Sequence, residues 1–349
     1  LKPLWRQPQG LRRPPGTGGT MPEALQDPAR EEAALGELRS ALGELAATGL
    51  DGLGPADDAT LLRFLRARKG DVPKAQAQYA ATKAWRAEND IARFTRGFEG
   101  SASAALAAAS HPILGCGGVE IHPSLRLGIP IQDEGAWLFW GQTLSFGQDK
   151  RGRPVHIQHV GRASQRFAEA FAHVEASSDA AEAAKAFING YVHLQEVQQV
   201  RMRELAEQRG EPVTQQVVIM DLEGLSMWPD SRAMSVFKEF LQISSSHYPE
   251  TLALHFFVNA PHVFTAIWRV IRNWLDPVTV GKMHVLGRGF QDVLLEYIDK
   301  DQLPTALGGT NPFDLFDRAS SRVAAEAAVA ELREVVDGLS DASVRCGGG

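Results

Sequence analysis

The chain has 349 residues, of which 44% are hydrophobic, and it carries a formal net charge of -6 at pH 7. A chain of this length can bury a substantial core and can hold a main domain with a smaller unit attached. The negative balance argues against a nucleic-acid binder that relies on a broad basic surface, and we find no RNA- or DNA-binding motif. We therefore expect a globular protein without a nucleic-acid partner.

The cysteines and the apolar segments indicate in which cellular compartment the chain is expected and whether it spans a membrane. Cys116 and Cys346 are too few for a disulfide framework, and neither has the spacing of a metal site, so a reducing, cytoplasmic compartment is predicted. The longest apolar region, residues 252–275, is interrupted by polar side chains too often for a membrane span of about 20 apolar residues. We expect no transmembrane anchor.

The sequence contains no signature of catalysis. It lacks a GxSxG elbow, a P-loop and an HExxH pair, so we predict that the chain is not an enzyme and needs no cofactor or metal. Four histidines lie close in sequence without matching a metal motif, and we interpret them as packing or pocket-lining groups rather than an acid-base site: His247, His255, His262 and His284.

The two ends of the chain have the composition of tails. Residues 1–29 are predicted to form a disordered leader, because the repeated Pro and Gly oppose an amphipathic helix, although the basic, acid-free start is also typical of a transit peptide. Residues 316–349 are predicted to form a C-terminal helix, at 318–339, and a flexible tail.

Residues 30–109 are predicted to form a small helical unit of three or four helices. Residues 31–50 predict one amphipathic helix that ends near Gly49, with four leucines on one face: Leu35, Leu38, Leu42 and Leu45. Residues 60–69 predict a second helix with a basic face made of Arg63, Arg66, Arg68 and Lys69. A third helix begins at Val72-Pro73 and runs toward Glu88.

Residues 110–315 are predicted to form an α/β domain. Short apolar runs indicate strands at 155–160, 217–222, 252–258 and 283–286. Helical patterns separate most of them, at 180–209, 231–246 and 261–275. Strands that alternate with helices predict a mixed, partly parallel sheet.

The stretch 248–287 combines a strand, a crossover helix and a second strand. The helix carries one apolar stripe of Phe264, Ile267, Trp268, Ile271 and Leu275. From the residues alone, an ordinary helix packed on the sheet explains this stripe as well as a functional role does.

Seven motifs, in order, resemble those of the CRAL-TRIO lipid-binding family, most of all its phosphatidylinositol transfer branch. They are TLLRFLRARK at 60–69, DKRGRPV at 149–155, VIMDLEG at 218–224, YPET at 248–251, NAP at 259–261, LDPVTVGK at 275–282 and LGG at 307–309. The resemblance covers roughly residues 30–315. It implies a helical N-terminal unit followed by an α/β domain whose hydrophobic pocket holds one lipid, with the apolar stripe on a mobile gate helix.

The resemblance also implies a phosphatidylinositol headgroup site. The matching residues here are Arg68, Lys69, Glu250, Thr279 and Lys282, and Asp149 and Asp276 lie in the same motifs as candidates for orienting them. Cations and a hydroxyl suit a phosphate, and a carboxylate suits ring hydroxyls. Taken singly, a basic helix face is usually solvated, a turn acid usually pairs with a neighbouring cation, and a lysine usually lies at the surface. Only their joint occurrence favours a site.

The chain departs from relatives that also carry phosphatidylcholine. The candidate contacts to a second lipid are His156, Gln216, Val218 and Ser244, of which Ser244 keeps a hydroxyl. Because valine cannot donate a hydrogen bond, choline-lipid binding is disfavoured, and a sterol, a retinoid-like or a tocopherol-like ligand is an alternative. The expected partners are phosphatidylinositol, a second hydrophobic lipid, a transient membrane surface and, by resemblance, a phosphoinositide kinase. A membrane-signalling interaction module remains a further alternative.

Overall fold

The computed structural model describes residues 27–50, 53–94, 143–176, 179–226 and 230–310. Several predictions fall outside these ranges and are not addressed by the structure. They concern most of the leader 1–29, the domain boundary near residue 110, the C-terminal helix and tail of 316–349, and both cysteines.

The N-terminal part is helical, as predicted, but its first helix is interrupted. Its helices are α1 (Pro28–Leu42), α2 (Glu44–Thr48), α3 (Asp58–Ala67) and α4 (Val72–Glu88), followed by a 3-10 turn at Ile91–Phe94. The predicted helix over 31–50 was wrong in one respect, because Gly43 adopts φ 51 and ends α1 by donating its N–H to the carbonyl of Arg39. Leu38 and Leu42 therefore enter the core, whereas Leu45 is 36% exposed.

The second part is built on a mixed sheet, which confirms the predicted fold class. Its strands, in spatial order, are β1 (Thr143–Gln148), β2 (Pro154–Gln158), β3 (Gln216–Asp221), β4 (Leu252–Val258) and β5 (Met283–Val285). β1 is antiparallel to β2, and the remaining neighbours are parallel. β1 escaped the sequence prediction because Leu144 and Phe146 are its only apolar residues and Gly147, with φ 61, lies where its register shifts.

The helices of this part are α5 (Val160–Glu175), α6 (Ala180–Arg209), α7 (Ser231–His247), α8 (Phe264–Ile271), α9 (Pro277–Gly281) and α10 (Gln291–Tyr297). The strand predicted to end at residue 160 instead ends at Gln158, and Val160 begins α5. The helix predicted over 261–275 is shorter, because α8 passes into a 3-10 turn at Arg272–Trp274 and Leu275 is extended before Asp276-Pro277.

The two faces of the sheet have different neighbours. One face packs against the segment that follows β5, in a core that contains Ile157, Ile219 and Phe256 from the strands and Phe290 and Leu294 from the segment. The opposite face carries a row of residues in register, which are His156, Val218, His255 and Met283. Successive side chains of a strand alternate between faces, so each central strand contributes to both environments.

Candidate lipid-binding pocket

A cavity of about 870 Å³ lies over the second face of the sheet. Its floor is formed by β2, β3 and β4, and its walls by α5, α6, α7 and α8. The volume falls within the roughly 300–1,000 Å³ common for small-molecule sites. The space is therefore large enough for a sizeable ligand.

The walls of the pocket are mainly apolar and aromatic. Tyr191 of α6 stacks on Phe240 of α7 with ring centroids 4.5 Å apart, and Phe257 of β4 meets Phe264 of α8 at 5.1 Å. Four of the five predicted stripe residues line the cavity, which are Phe264, Ile267, Ile271 and Leu275. The fifth, Trp268, packs with its ring centroid 5.4 Å from that of Phe257.

Three chain segments meet at the polar end of the pocket. They are the C-terminal end of α3 with Arg68 and Lys69, the turn that contains Glu250, and the stretch from α9 into β5 with Thr279 and Lys282. All five predicted headgroup residues thus line one cavity, although they come from distant parts of the sequence. Their role in binding a lipid stays a prediction.

Glu250 and Lys282 form an ion pair in this region. Lys282 Nζ donates to Glu250 Oε2 at 2.9 Å, and the side chains of Lys282 and Glu250 are only 12% and 28% exposed, respectively. The backbone fixes both residues, because His255 N–H donates to the Lys282 carbonyl and Glu250 adopts φ 56. A partly buried charge pair of this kind is held in place before any ligand arrives.

The predicted basic face of α3 is not uniform. Arg63 is buried and donates to Gln199 Oε1 at 3.0 Å, and burial lowers its pKa to about 10. Arg66 lines the pocket and makes a two-pronged ion pair with Glu31 at 2.7 and 2.8 Å, which raises the pKa of Arg66. Arg63 therefore does not share a solvated basic face with the other three cations, because α6 covers it, which no local sequence pattern reveals.

The two aspartates that were expected to orient the headgroup groups have other partners. Asp276 lines the pocket and caps α9, since its Oδ1 accepts from Val278 N at 2.7 Å. Asp149 lies in the turn between β1 and β2, outside the pocket lining, and accepts from the backbone and guanidinium of Arg153. The turn already engages both carboxylate oxygens of Asp149, and its orienting role stays a prediction.

The floor of the pocket contains polar groups within an apolar surrounding. The ring of His156 lies 3.0 Å from Gln158 Nε2 and 3.2 Å from Gln198 Nε2, and burial lowers its pKa to about 4. Burial, with a smaller effect of His156, lowers the pKa of His255 to about 3. These imidazoles are neutral at pH 7.

A second polar chain crosses from β3 to the helices. Gln216 Nε2 donates to Gln195 Oε1 at 3.3 Å, and Gln195 Nε2 donates to Tyr191 Oη at 2.9 Å and lies 3.5 Å from Ser244 Oγ. Burial raises the pKa of Tyr191 to about 12. The four predicted second-lipid contacts, His156, Gln216, Val218 and Ser244, all line the cavity.

Sequence reasoning interpreted His255 as a packing or pocket-lining residue, but it missed Gln195 as a lining residue. His255 interrupts the apolar run of β4 on the same face as Phe257. Gln195 lies on a long amphipathic helix whose polar residues offered no such sign.

The N-terminal helices are attached to the turn that carries Glu250. Arg86 of α4 pairs with Glu196 of α6 at 2.8 Å with both side chains fully buried, and Tyr248 Oη donates to Glu196 Oε1 at 2.7 Å. Burial, reinforced by the charge of Glu196, raises the pKa of Tyr248. Through Glu196, Arg86 of the helical unit is therefore connected to Tyr248, which lies two residues before Glu250.

Neither a spanning helix nor a metal site is found in the part of the chain that the structure describes. Within it, no helix is long and apolar enough to cross a membrane. The same residues include no group of three His, Cys, Asp or Glu side chains placed to hold a metal ion.

A helical unit, a mixed sheet and an apolar pocket with a charged end define a class of hydrophobic-ligand-binding proteins, and comparisons with known proteins identify the family. The family described as "CRAL/TRIO domain" matches residues 141–309, and "CRAL/TRIO, N-terminal domain" matches residues 34–81. The chain therefore belongs to the CRAL-TRIO family. This membership confirms the resemblance read from the motifs and the prediction that the chain is not an enzyme.

Named relatives and a solved structure agree with this assignment. The chain is 29% identical to SEC14 cytosolic factor of Candida glabrata over 300 residues, which is 86% of this chain and 82% of the relative. It is 29% identical to phosphatidylinositol/phosphatidylcholine transfer protein SFH4 of Arabidopsis thaliana over 72% of this chain and 35% of the relative. The crystal structure of Sfh5 matches its fold with a TM-score of 0.55 at 15% identity, over 86% of this chain and 97% of that one.

Proposed function

We propose that this protein binds one phosphatidylinositol molecule in its apolar pocket and transfers or presents it between membranes. The observation that carries the proposal is the meeting of Arg68, Lys69, Glu250, Thr279 and Lys282 at one end of an otherwise largely apolar cavity. A lipid has the same division into a polar head and apolar chains. Relatives that are named as phosphatidylinositol/phosphatidylcholine transfer proteins support it.

The headgroup is held by charge and hydrogen bonds. Arg68, Lys69 and Lys282 attract the phosphate, and Thr279 can donate a hydroxyl to it. Glu250 accepts from the inositol hydroxyls, and the phosphate replaces that carboxylate as a partner of Lys282. No covalent step is involved, so loading depends on the balance between these contacts and the membrane.

The acyl chains require the apolar interior. Each methylene that moves from a bilayer to water loses about 0.8 kcal/mol, so extraction needs a cavity as apolar as the bilayer. We assign α8 as the gate helix, because Phe264, Ile267 and Ile271 face the cavity while the opposite side is exposed. Displacement of α8 opens the pocket, and its return shields the chains from water.

The exposed side of the gate helix suits an anionic membrane surface. Arg269 and Arg272 are exposed there, Val270 is 48% exposed and Val278, at the start of α9, is 36% exposed. Cations beside exposed apolar side chains match anionic headgroups above an acyl layer. We propose that the protein acts in the cytoplasm, peripherally at membranes, and by family resemblance supplies lipid to a phosphoinositide kinase.

The proposal is tested by lipid transfer between vesicles. The purified chain should move labelled phosphatidylinositol from donor to acceptor liposomes, and Lys282→Ala should reduce the rate by at least about tenfold, since it removes a partly buried cation. Lys300→Ala, an exposed lysine outside the pocket lining, is the matched control and should leave the rate unchanged. Equal rates for both variants would remove Lys282 from the site, and no transfer by the unmodified chain would refute the function.

A further inference from the structure

The turn that carries Glu250 adopts a backbone conformation that the surrounding structure has to enforce. Glu250 has φ 56, in the left-handed region that residues with a Cβ rarely adopt. Such a conformation persists only where neighbouring contacts fix it, and it is common at binding sites. The residues 248–251, between the end of α7 and the start of β4, are called the Glu250 turn below. The contacts that hold this turn determine where its carboxylate lies.

The exit of the turn is fixed within the α/β domain. Thr251 is only 4% exposed, and its hydroxyl donates to the carbonyl of Tyr248 at 2.9 Å. The backbone N–H of Gln216 donates to the carbonyl of Thr251 at 2.8 Å, and this contact leads directly into the pairing of β3 with β4. These bonds define the shape of the turn and the point at which it joins the sheet.

The entrance of the turn is fixed by α4 of the helical unit. The last carbonyls of a helix have no partner within it, so they need donors from outside. At the end of α7, Gln78 Nε2 donates to the carbonyls of Ser245 and Ser246 at 3.2 and 2.9 Å. The hydroxyl of Thr82, which is fully buried, donates to the same carbonyl of Ser246 at 3.3 Å. Helix α4 thus caps α7 where the chain enters the Glu250 turn.

A second contact with α4 holds the first residue of the turn. Tyr248 Oη donates to Glu196 Oε1 at 2.7 Å, and the same carboxylate accepts two bonds from Arg86, each at 2.8 Å. All three residues are buried. Trp85, the residue before Arg86, stacks on the ring of His247 with centroids 4.1 Å apart. Two consecutive residues of α4 therefore hold the junction between α7 and the turn, one of them through Glu196.

The α4 residues of this arrangement lie away from the ligand space. Gln78, Thr82 and Arg86 do not line the cavity, whereas Glu250 does. Tyr248 also lines the cavity, but its hydroxyl is engaged by a carboxylate that lies outside the lining. A change in these hydrogen bonds therefore affects a bound headgroup through the position of the turn, and not through a lost contact with the lipid.

We propose that α4 positions the carboxylate of Glu250 for the lipid headgroup, with Thr82 and the hydroxyl of Tyr248 as positioning residues. The helical unit then serves the headgroup site twice, because α3 supplies two cations directly and α4 holds the acid at the same end of the pocket. This inference rests on the proposed phosphatidylinositol-binding function. It deepens that function by assigning part of the headgroup recognition to residues outside the pocket.

The first test measures how firmly the turn is held in the full chain without added lipid. Amide hydrogen exchange, read by mass spectrometry, is compared in peptides that cover residues 248–254. Tyr248→Phe removes one hydroxyl and leaves Glu196 paired with Arg86, so exchange there should become about fivefold faster. Tyr297→Phe, a tyrosine of α10 outside the pocket lining, is the matched control and should leave these rates unchanged. Unchanged exchange in Tyr248→Phe overturns the proposal.

The second test is a double-mutant cycle on phosphatidylinositol transfer between vesicles. Tyr248→Phe should lower the transfer rate about fivefold, because the carboxylate is no longer held at the headgroup. In a Glu250→Gly background the same substitution should lower the rate by less than about twofold, since no carboxylate is left to position. A merely structural role of Tyr248 would give equal fold-losses in both backgrounds, and that result would overturn the proposal.

A second variant makes the cycle independent of Tyr248. Thr82→Val removes the hydroxyl that donates to Ser246, while Gln78 remains as a donor to the same carbonyl. This variant should lower the transfer rate about two- to threefold, and only where Glu250 is present. If Tyr248→Phe does not fold, Thr82→Val decides by the same criterion. A loss that is equal with and without the carboxylate counts against the proposal.

The outcomes separate this inference from the proposed function. Transfer by the unmodified chain together with equal losses in both backgrounds leaves the proposed function intact and removes only the positioning role. A Glu250→Gly variant that transfers as fast as the unmodified chain removes Glu250 from the site and overturns the inference with it. No phosphatidylinositol transfer by the unmodified chain refutes the proposed function and this inference together.

Discussion

Lys282 Nζ donates a hydrogen bond to Glu250 Oε2 at 2.9 Å, and this pair joins the two ends of a segment that contains β4, α8 and α9. Helix α8, the proposed gate, thus lies within a chain segment whose ends are joined by one ion pair. Because the pair also lies at the charged end of the pocket, we expect that a phosphate bound to Lys282 would change how this segment closes.

The carboxylate of Glu250 can be tested separately from its backbone. Glu250 adopts φ 56, a left-handed conformation that glycine adopts without the Cβ penalty, so Glu250→Gly removes the side chain without adding strain. We expect phosphatidylinositol transfer between vesicles to fall about tenfold, because the inositol hydroxyls lose an acceptor. Since the pair is partly exposed to solvent, the free energy of unfolding should change by less than about 1 kcal/mol. Undiminished transfer would remove Glu250 from the site.

The buried pair of Arg86 and Glu196 should be important for stability. Arg86→Met leaves the Glu196 carboxylate without its cation in a fully buried position, so we expect a loss of roughly 3–5 kcal/mol in the free energy of unfolding in urea. Lys74→Met, which breaks the exposed pair with Asp71, is the control and should cost less than about 0.5 kcal/mol. Similar midpoints for the two variants would contradict the prediction.

Removal of both charges distinguishes an ion pair from simple packing. Arg86→Met combined with Glu196→Met should be more stable than Arg86→Met alone, because no buried charge is left unpaired. Additive losses would instead mean that the two side chains contribute mainly by their volume.

Stability should fall as the pH is lowered from about 6.5 toward 4. The pKa of His156 is lowered from 6.5 to about 4 and that of His255 to about 3, so in this window the unfolded chain binds protons that the folded chain does not. Each histidine then reduces the free energy of unfolding by about 1.4 kcal/mol per pH unit. Urea titrations at several pH values measure how steeply the free energy of unfolding changes with pH. His156→Gln should reduce this slope by the contribution of one proton. A flat profile between pH 6.5 and 5 would contradict the buried, neutral state.

The proposed membrane contact of Arg269 and Arg272 can be tested by charge reversal. Arg269→Glu with Arg272→Glu should weaken sedimentation with phosphatidylserine vesicles by at least about tenfold, because each cation near such a surface contributes about 1 kcal/mol. Lys74→Glu with Lys185→Glu changes the net charge equally at exposed positions outside the pocket lining and should have little effect. Equal losses in the two double variants would show that net charge, and not this face, determines binding.

The sequence predicted the elements whose signals are local. The helix over 180–209 and the strand over 252–258 agree with α6 and β4, since a long amphipathic pattern and a continuous apolar run rarely have another explanation. β1 and α5 were missed because their form depends on tertiary partners. The interruption at Gly43 was missed because leucine spacing continues across it.

The candidate site was predictable only in part. Motif order indicated that Arg68, Glu250 and Lys282 belong together, and the structure places them around one cavity. The burial of Arg63 and the contact of Arg66 with Glu31 depend on how helices dock, which no local pattern specifies. The contacts of Asp149 are also not visible in the sequence, because its motif forms a tight turn that uses the carboxylate internally.

The alternation of side chains along the sheet has a consequence for how ligand preference can evolve. On β3, Ile219 belongs to the sealed core and Val218 to the pocket floor, and on β4 the same holds for Phe256 and His255. A substitution at one position of each pair alters what the cavity accepts, whereas a substitution at its neighbour alters how firmly the domain folds. Descendants of this chain can therefore acquire new cargo by changing every second residue of the central strands while inheriting the scaffold intact.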